Sequence, residues 1–170
     1  TDRTNYYQRV PREYLELALW MESDRMENLL PVLTQKKLDN QRDVVKNERR
    51  QRYEDQPYGM FYIWLLESLF PEGHPYHHSP IGSHEDLTAA SLDDVKGFFR
   101  KYYTPSNAVL TIVGDFDPAQ AKALAEKYFG HMPAGNRAAK PNVAKITLGA
   151  PVHRTETDEV PLPRLYYAWP

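Results

Sequence analysis

Hydrophobic positions in the first half of the chain recur with a helical period. Leu15, Leu19 and Met26 follow Pro11 at spacings of four and seven residues, which is typical of one apolar helix face. Pro31 predicts that this first helix ends just before it, because proline interrupts the helical hydrogen-bond pattern. The pattern therefore predicts an amphipathic helix over residues 11–30.

The same helical period, interrupted by proline and glycine residues, predicts more helices. They are expected over residues 38–54, 58–70, 92–103 and 118–129, with a loop rich in proline and glycine over 71–86. Ser91 and Asp117 each have the chemistry of a helix N-cap, and Pro118 suits the first helical position. We expect both residues to begin helices.

Other segments have the pattern of β-strands. Residues 108–113 form a continuous apolar run that ends at Gly114, as in a buried strand. After a segment over 130–142 that contains Gly130, Pro133, Gly135 and Pro141, strands are predicted over 143–148, 152–157 and 164–169. Helices together with strands predict an α+β fold.

Composition narrows the function classes. The 170 residues carry 21 Lys and Arg against 23 Asp and Glu, so no basic excess favours nucleic-acid binding. The chain has no cysteine, which excludes disulfides, Cys-ligated zinc and thiol catalysis. No apolar run is long enough to predict a membrane span.

Glu48 is the first candidate for chemistry. It follows Val44 by four residues, so the spacing predicts that both share the inner face of a charged helix. A carboxylate on such a face needs a counter-charge or a bound cation. Two hypotheses stay open at this point: a salt bridge to Arg49, Arg52 or another residue, or a metal ligand.

The histidines form the second candidate group. His74, His77 and His78 fall in one loop, and His84 follows it. Their spacing differs from that of a helix-borne pair, so loop packing is favoured over a metal site. The sequence also has no Gly-x-Ser-x-Gly elbow and no glycine-rich phosphate loop.

Several segments, taken in order, resemble the pitrilysin/insulinase family of zinc metallopeptidases, peptidase family M16, which also contains the mitochondrial processing peptidases. The segments that carry the resemblance are residues 4–7, 15–26, 44–50, 74–76, 80–82, 98–103, 107–110 and 113–116. The most characteristic are Val44-Val45-Lys46-Asn47-Glu48, which resembles the metal-ligand helix, and His74-Pro75-Tyr76, which resembles the signature loop.

The resemblance implies a site and a cofactor. Glu48 corresponds to the third zinc ligand, after two histidines of a His-x-x-Glu-His motif whose glutamate is the general base. That motif does not occur in the chain and is expected upstream of Thr1, so no catalytic residue is expected here and a full Zn²⁺ site needs the upstream histidines. Gln41 stands where many relatives have a supporting glutamate, and is the candidate to support the ligand.

The resemblance also implies an architecture and partners. It predicts helices packed on a mainly antiparallel sheet, with residues 1–129 in the metal-binding half-domain, 130–142 as a linker and 143–170 beginning a second half-domain. The expected partners are a peptide substrate, the upstream segment and a second half-domain or homologous subunit, in a homo- or heterodimer. The alternative is a non-catalytic, substrate-binding or structural subunit. A bacterial cell envelope or an organelle is the implied setting.

Overall fold

The computed structural model describes residues 3–170, and these form six α-helices. The helices are α1 (Leu15–Val32), α2 (Gln35–Arg49), α3 (Phe61–Leu69), α4 (His84–Ala89), α5 (Leu92–Tyr102) and α6 (Pro118–Phe129). A π-helical turn, Arg50–Glu54, follows α2 directly. The predicted helices are therefore present, and α4 is an addition that begins within the loop predicted over 71–86 and extends beyond it.

Two helix starts confirm the predicted caps. The Ser91 hydroxyl accepts a hydrogen bond from the Asp94 backbone N–H, and the Asp94 carboxylate accepts one from the Ser91 N–H, a reciprocal capping box. Asp117 accepts from the N–H groups of Ala119 and Gln120 at the start of α6. These bonds satisfy amide groups that have no partner inside the helix.

The end predicted for the first helix is wrong by two residues. Pro31 lies inside α1, which continues to Val32. Proline has no backbone N–H and its ring crowds the carbonyl four residues earlier, so the helix ends within one residue of Pro31. The chain leaves the helix at Leu33, whose backbone is extended.

The predicted fold class is wrong. Residues 3–170 contain no β-strand and no sheet, so the helices do not pack on an antiparallel sheet. A strand exists only through backbone hydrogen bonds to a neighbouring strand, and an apolar run cannot supply that neighbour. In the predicted strand over 108–113, Val109 is 91% exposed, which shows that no second strand covers it.

The described residues divide into two units. The first combines the residues up to Leu38 with Ser91–Lys140, and the second combines Asp39–Ala90 with Pro141–Pro170. The domain boundaries given above, at 129 and 142, stay a prediction.

The first unit is organised around the packing of α1 against α6. Leu19 and Ser23 of α1 and Ala121 of α6 are buried. At the rim of this contact, Glu16 accepts hydrogen bonds from Lys127 at 2.7 Å and from the Tyr128 hydroxyl at 2.8 Å. The hydrogen bond from Lys127 is the main reason why the pKa of Glu16 lies below its ordinary value.

Tyr6 links the first segment of the same unit to α1 and to the residue after α5. Its hydroxyl lies 2.8 Å from the hydroxyl of Tyr103, and the Arg25 guanidinium stacks over its ring at 4.2 Å. Burial, together with the hydrogen bond to Tyr103, raises the pKa of Tyr6 to about 12. The phenol is therefore neutral at physiological pH.

The second unit contains most of α2, with α3, α4 and the final residues. Ile63 of α3 is buried. α2 is tied to the end of α4 by two hydrogen bonds: Arg42 donates to the Ala90 carbonyl at 2.7 Å, and Lys46 donates to the Thr88 hydroxyl at 2.6 Å. These contacts fix the helix that carries Glu48 and Gln41.

None of the helices described in residues 3–170 combines the length and the apolar character that crossing a bilayer requires.

Candidate functional site

Glu48 lies in the last turn of α2 with its carboxylate open to solvent. The side chain is 38% exposed, and Oε1 lies 3.1 Å from Nη1 of Arg52, one turn later. Arg52 is itself 71% exposed, and an exposed pair of this kind contributes about 0–1 kcal/mol. Val44, on the same side of the helix, is 49% exposed, so the face of Glu48 is less buried than the spacing predicts.

Arg49, the next residue, has the opposite environment. It is 9% exposed. Its Nε donates to Glu54 at 2.8 Å, and its Nη1 donates to the backbone carbonyl of Gly82 at 2.6 Å. Nε2 of His84, the first residue of α4, lies 3.0 Å from the same carboxylate. We call these four residues, Arg49, Glu54, Gly82 and His84, the Arg49 cluster.

The π-helical turn explains why Arg49 meets Glu54. In this turn the Asp55 N–H bonds to the carbonyl of Arg50, five residues earlier, at 2.8 Å. The i→i+5 hydrogen bonding of a π-helix makes a wider turn, which brings Arg49 and Glu54 toward the same side of the chain, whereas a continuing α-helix would not. The turn therefore places a carboxylate on the buried guanidinium.

The cluster keeps Glu54 ionised. Burial by itself raises the pKa of Glu54, but the hydrogen bonds from His84 and Arg49 outweigh it and hold this pKa below its ordinary value. The cation of Arg49 is thus matched by a carboxylate at neutral pH. The sequence analysis did not predict this cluster. Its signal in the sequence is an Arg and a Glu five residues apart, and a regular α-helix would place such a pair on different faces.

The loop histidines support the packing interpretation. His77 Nδ1 lies 2.7 Å from the Phe70 carbonyl, and the His74 ring stacks on Phe70 with centroids 4.7 Å apart. Nδ1 of His74 also accepts a hydrogen bond from the Tyr76 N–H at 3.0 Å. These rings hold the loop that follows α3.

Gln41 lies seven residues before Glu48 on α2 and is exposed. Seven residues are close to two helical turns, so both side chains leave the same side of the helix, about 10 Å apart along its axis. The structure therefore places the two residues on a common face, without bringing them together at one point.

The donor set can be tested against a zinc site. Within residues 3–170, no three His, Cys, Asp or Glu side chains converge as metal ligands, whereas a catalytic zinc needs three protein ligands. Glu48 fits one such position: its carboxylate is on a fixed helix, is partly exposed, and is held only by a solvent-exposed ion pair. A zinc site that included Glu48 would therefore need further ligands from outside the described residues.

Several known proteins are similar to this chain. Residues 89–170 match a family model described as the "Peptidase M16 inactive domain". A protein of Helicobacter pylori named zinc protease PqqE is 33% identical over 128 residues, which are 75% of this chain and 28% of that protein. A probable mitochondrial-processing peptidase subunit beta of Schizosaccharomyces pombe is 26% identical over 86 residues, 51% of this chain and 17% of that one.

A solved structure matches as well. The crystal structure of a protease from Helicobacter pylori superposes with a TM-score of 0.69 at 31% identity, and the match covers 78% of this chain and 31% of that protein. The chain thus spans less than a third of each of these relatives. It belongs to the M16 family of pitrilysin-like peptidases.

Proposed function

We propose that the chain is part of a zinc-dependent endopeptidase for peptides or short unfolded polypeptides, and that Glu48 is one of the metal ligands. The observation that carries the proposal is the contrast on α2: an available carboxylate at Glu48 lies next to the buried Arg49, which is bonded to Glu54 and to the Gly82 carbonyl. A metal ligand needs a carboxylate that can reach the metal and a backbone that stays fixed.

Each residue has a defined part in this proposal. Bound zinc supplies Lewis-acid chemistry, since it lowers the pKa of a water molecule and polarises a peptide carbonyl. Glu48 would leave Arg52 and hold the metal through its carboxylate. Gln41, on the same face, would support the site with an amide in place of a charge. The general base and the two histidine ligands would lie outside this chain, so the 170 residues alone would not hydrolyse peptides.

A non-catalytic subunit of the same family is the second candidate. It is favoured by the description of the matching family model as an inactive domain and by the relative named as a subunit of a processing peptidase. That match begins at residue 89, so it does not include Glu48. In this alternative Glu48 keeps only its ion pair with Arg52, and the protein binds polypeptides without cleaving them.

The experiment uses the full-length protein. We expect the purified protein to contain about one zinc per chain by mass spectrometry and to hydrolyse a quenched fluorogenic peptide, and we expect Glu48→Gln to abolish both. Asp43→Asn is the matched control, because it removes an exposed carboxylate from the same helix without changing the face of Glu48.

The two candidates give different results in this experiment. If Glu48→Gln retains wild-type zinc content and activity, the ligand assignment is wrong. If the folded wild-type protein contains no zinc and cleaves no peptide, the non-catalytic alternative holds.

A further inference from the structure

The final residues of the chain contact α3 and the loop before it, within the second unit. Arg154 forms an ion pair with Glu67 at 2.9 Å, and its guanidinium lies 5.6 Å from the centre of the Trp64 ring. Further along, the Asp158 carboxylate accepts a hydrogen bond from the Tyr58 N–H at 3.0 Å. These contacts hold the segment against α3 through side chains and through one exposed backbone amide.

Tyr58 makes the largest number of different contacts with this segment. Its hydroxyl donates to the Leu162 carbonyl at 2.6 Å, and the Arg164 guanidinium stacks over its ring at 3.6 Å. In the described chain, Tyr58 is also the non-glycine residue with positive φ, at 61°. A tyrosine rarely adopts this conformation, and here it accompanies an N–H that donates to Asp158.

Tyr166 completes the contact by stacking on Phe61, with ring centroids 3.6 Å apart and planes inclined by 18°. Exposure alternates along this part of the chain: Leu165 is 77% exposed, Tyr166 42% and Tyr167 74%. Alternation is typical of an extended segment, in which residues two apart face the same way. Arg164 and Tyr166 therefore face the α3 side together, and their neighbours face solvent.

We propose that Tyr58, Phe61, Trp64 and Glu67, here named the Tyr58 surface, form a docking site for polypeptides with an Arg-x-aromatic sequence. In the structure, Arg164 and Tyr166 occupy the end formed by Tyr58 and Phe61 and compete there with such a ligand, whereas Arg154 covers Trp64 and Glu67. Phe61, Trp64 and Glu67 recur every three residues along α3, which aligns them as one ridge. An Arg-x-aromatic sequence is matched by the rings of Tyr58 and Phe61, which stack with a guanidinium and an aromatic ring, and Glu67 at the other end pairs with a further cation.

The contacts indicate an exchangeable occupant. The segment is held by stacking, ion pairs and single hydrogen bonds, and Arg154, Arg164 and Tyr166 all remain exposed. Because the segment belongs to the same chain, its effective concentration at the surface exceeds that of a dilute free peptide. A free peptide therefore binds the intact protein weakly, and loss of the tethered contacts strengthens its binding. The proposal rests on the proposed function for its ligand class, a polypeptide.

The test measures peptide binding by fluorescence anisotropy on the full-length protein in EDTA, so that neither zinc nor cleavage contributes. The probe is a labelled peptide with the sequence of residues 160–169. We expect the double variant Arg164→Ala/Tyr166→Ala to bind this probe at least tenfold more tightly than wild type. Tyr167→Ala, which removes the neighbouring solvent-facing ring, is the matched control and is expected to bind like wild type.

Substitutions in the probe avoid any effect on folding. In the double variant, replacing the peptide's arginine or its first tyrosine by alanine should weaken binding at least tenfold, whereas replacing the leucine between them should not. The proposal is overturned if the double variant binds no more tightly than wild type, or if the alanine-substituted peptides bind equally well. If the full-length protein shows no zinc-dependent cleavage but its variants bind the labelled peptide as predicted, the proposed function is wrong and the docking surface is retained.

Discussion

Glu48 and Arg49, two consecutive residues of α2, differ in charge, in burial and in the number of bonds that hold their side chains. Glu48 is partly exposed and its ion pair is with the solvent-exposed Arg52, whereas Arg49 is buried and bonded to both Glu54 and the Gly82 carbonyl. One peptide unit thus joins a side chain that is free to exchange partners to a side chain that is fixed. The difference shows how a helix can present a reactive group while its backbone stays in place.

The comparison predicts that substitution of Glu48 impairs zinc binding, whereas substitution of Arg49 lowers stability. Glu48→Gln in the full-length protein is expected to lower zinc affinity by roughly 100-fold or more, since it removes a direct ligand and even supporting residues cost 10–100-fold. The free energy of unfolding of the metal-free protein should change by less than about 0.5 kcal/mol, because an exposed pair contributes little. Zinc competition titrations and urea denaturation in EDTA measure the two quantities. A large loss of stability would mean that Glu48 is structural.

Arg49→Ala is expected to have the opposite profile. Removing the buried cation takes a donor from the Gly82 carbonyl and leaves Glu54 bonded to His84 alone, and the free energy of unfolding should fall by roughly 2–3 kcal/mol. This is less than for a deeply buried pair, because the Glu54 side chain is 30% exposed. Urea denaturation of the metal-free protein tests it, with Arg50→Ala, an exposed neighbour, as control. Equal stabilities of the two variants would contradict the role of the cluster.

The effect of Glu54→Gln should depend on pH. The pKa of Glu54 is lower in the folded protein than its ordinary value of 4.5, so its ionised form stabilises the fold above that pH, and this contribution is lost as pH falls below it. We expect Glu54→Gln to lower the free energy of unfolding by about 1–2 kcal/mol at pH 7. The difference from wild type should shrink as the pH falls below 4.5. A difference that stays constant with pH would show that the charge of Glu54 is not what matters.

Arg52→Ala is expected to have the smallest effect. It frees Glu48 from its ion pair, so zinc affinity of the full-length protein should rise by no more than about fivefold, in line with the 0–1 kcal/mol of an exposed pair. Isothermal titration with zinc measures this change. A decrease in affinity would mean that Arg52 supports the ligand and does not compete with the metal.

The sequence could predict the helices because their signals are local. Ser91 and Asp117 mark helix starts through their own side chains, and the apolar period of α1 lies within the helix itself. The strand predictions were wrong because residue type is only one of the two conditions for a strand. Val109 has the right residue type, but a strand also needs a paired neighbour, which residues 3–170 do not supply.

The site shows the same limit. Glu48 could be proposed from its spacing and its resemblance to a ligand helix, and its ligand role stays a prediction. The Arg49 cluster could not be predicted, because it depends on a π-helical turn and on Gly82 and His84, which are more than thirty residues away along the chain. A change of helical pitch leaves no clear signal in a pattern of residue types.

The most direct test of Glu48 as a ligand is the anomalous diffraction of zinc in crystals of the metal-loaded, full-length protein. The account predicts a zinc peak about 2.0–2.2 Å from a carboxylate oxygen of Glu48, with Arg52 displaced and Arg49 still bonded to Glu54. A zinc peak whose ligands do not include Glu48, with the Glu48–Arg52 pair intact, would contradict it.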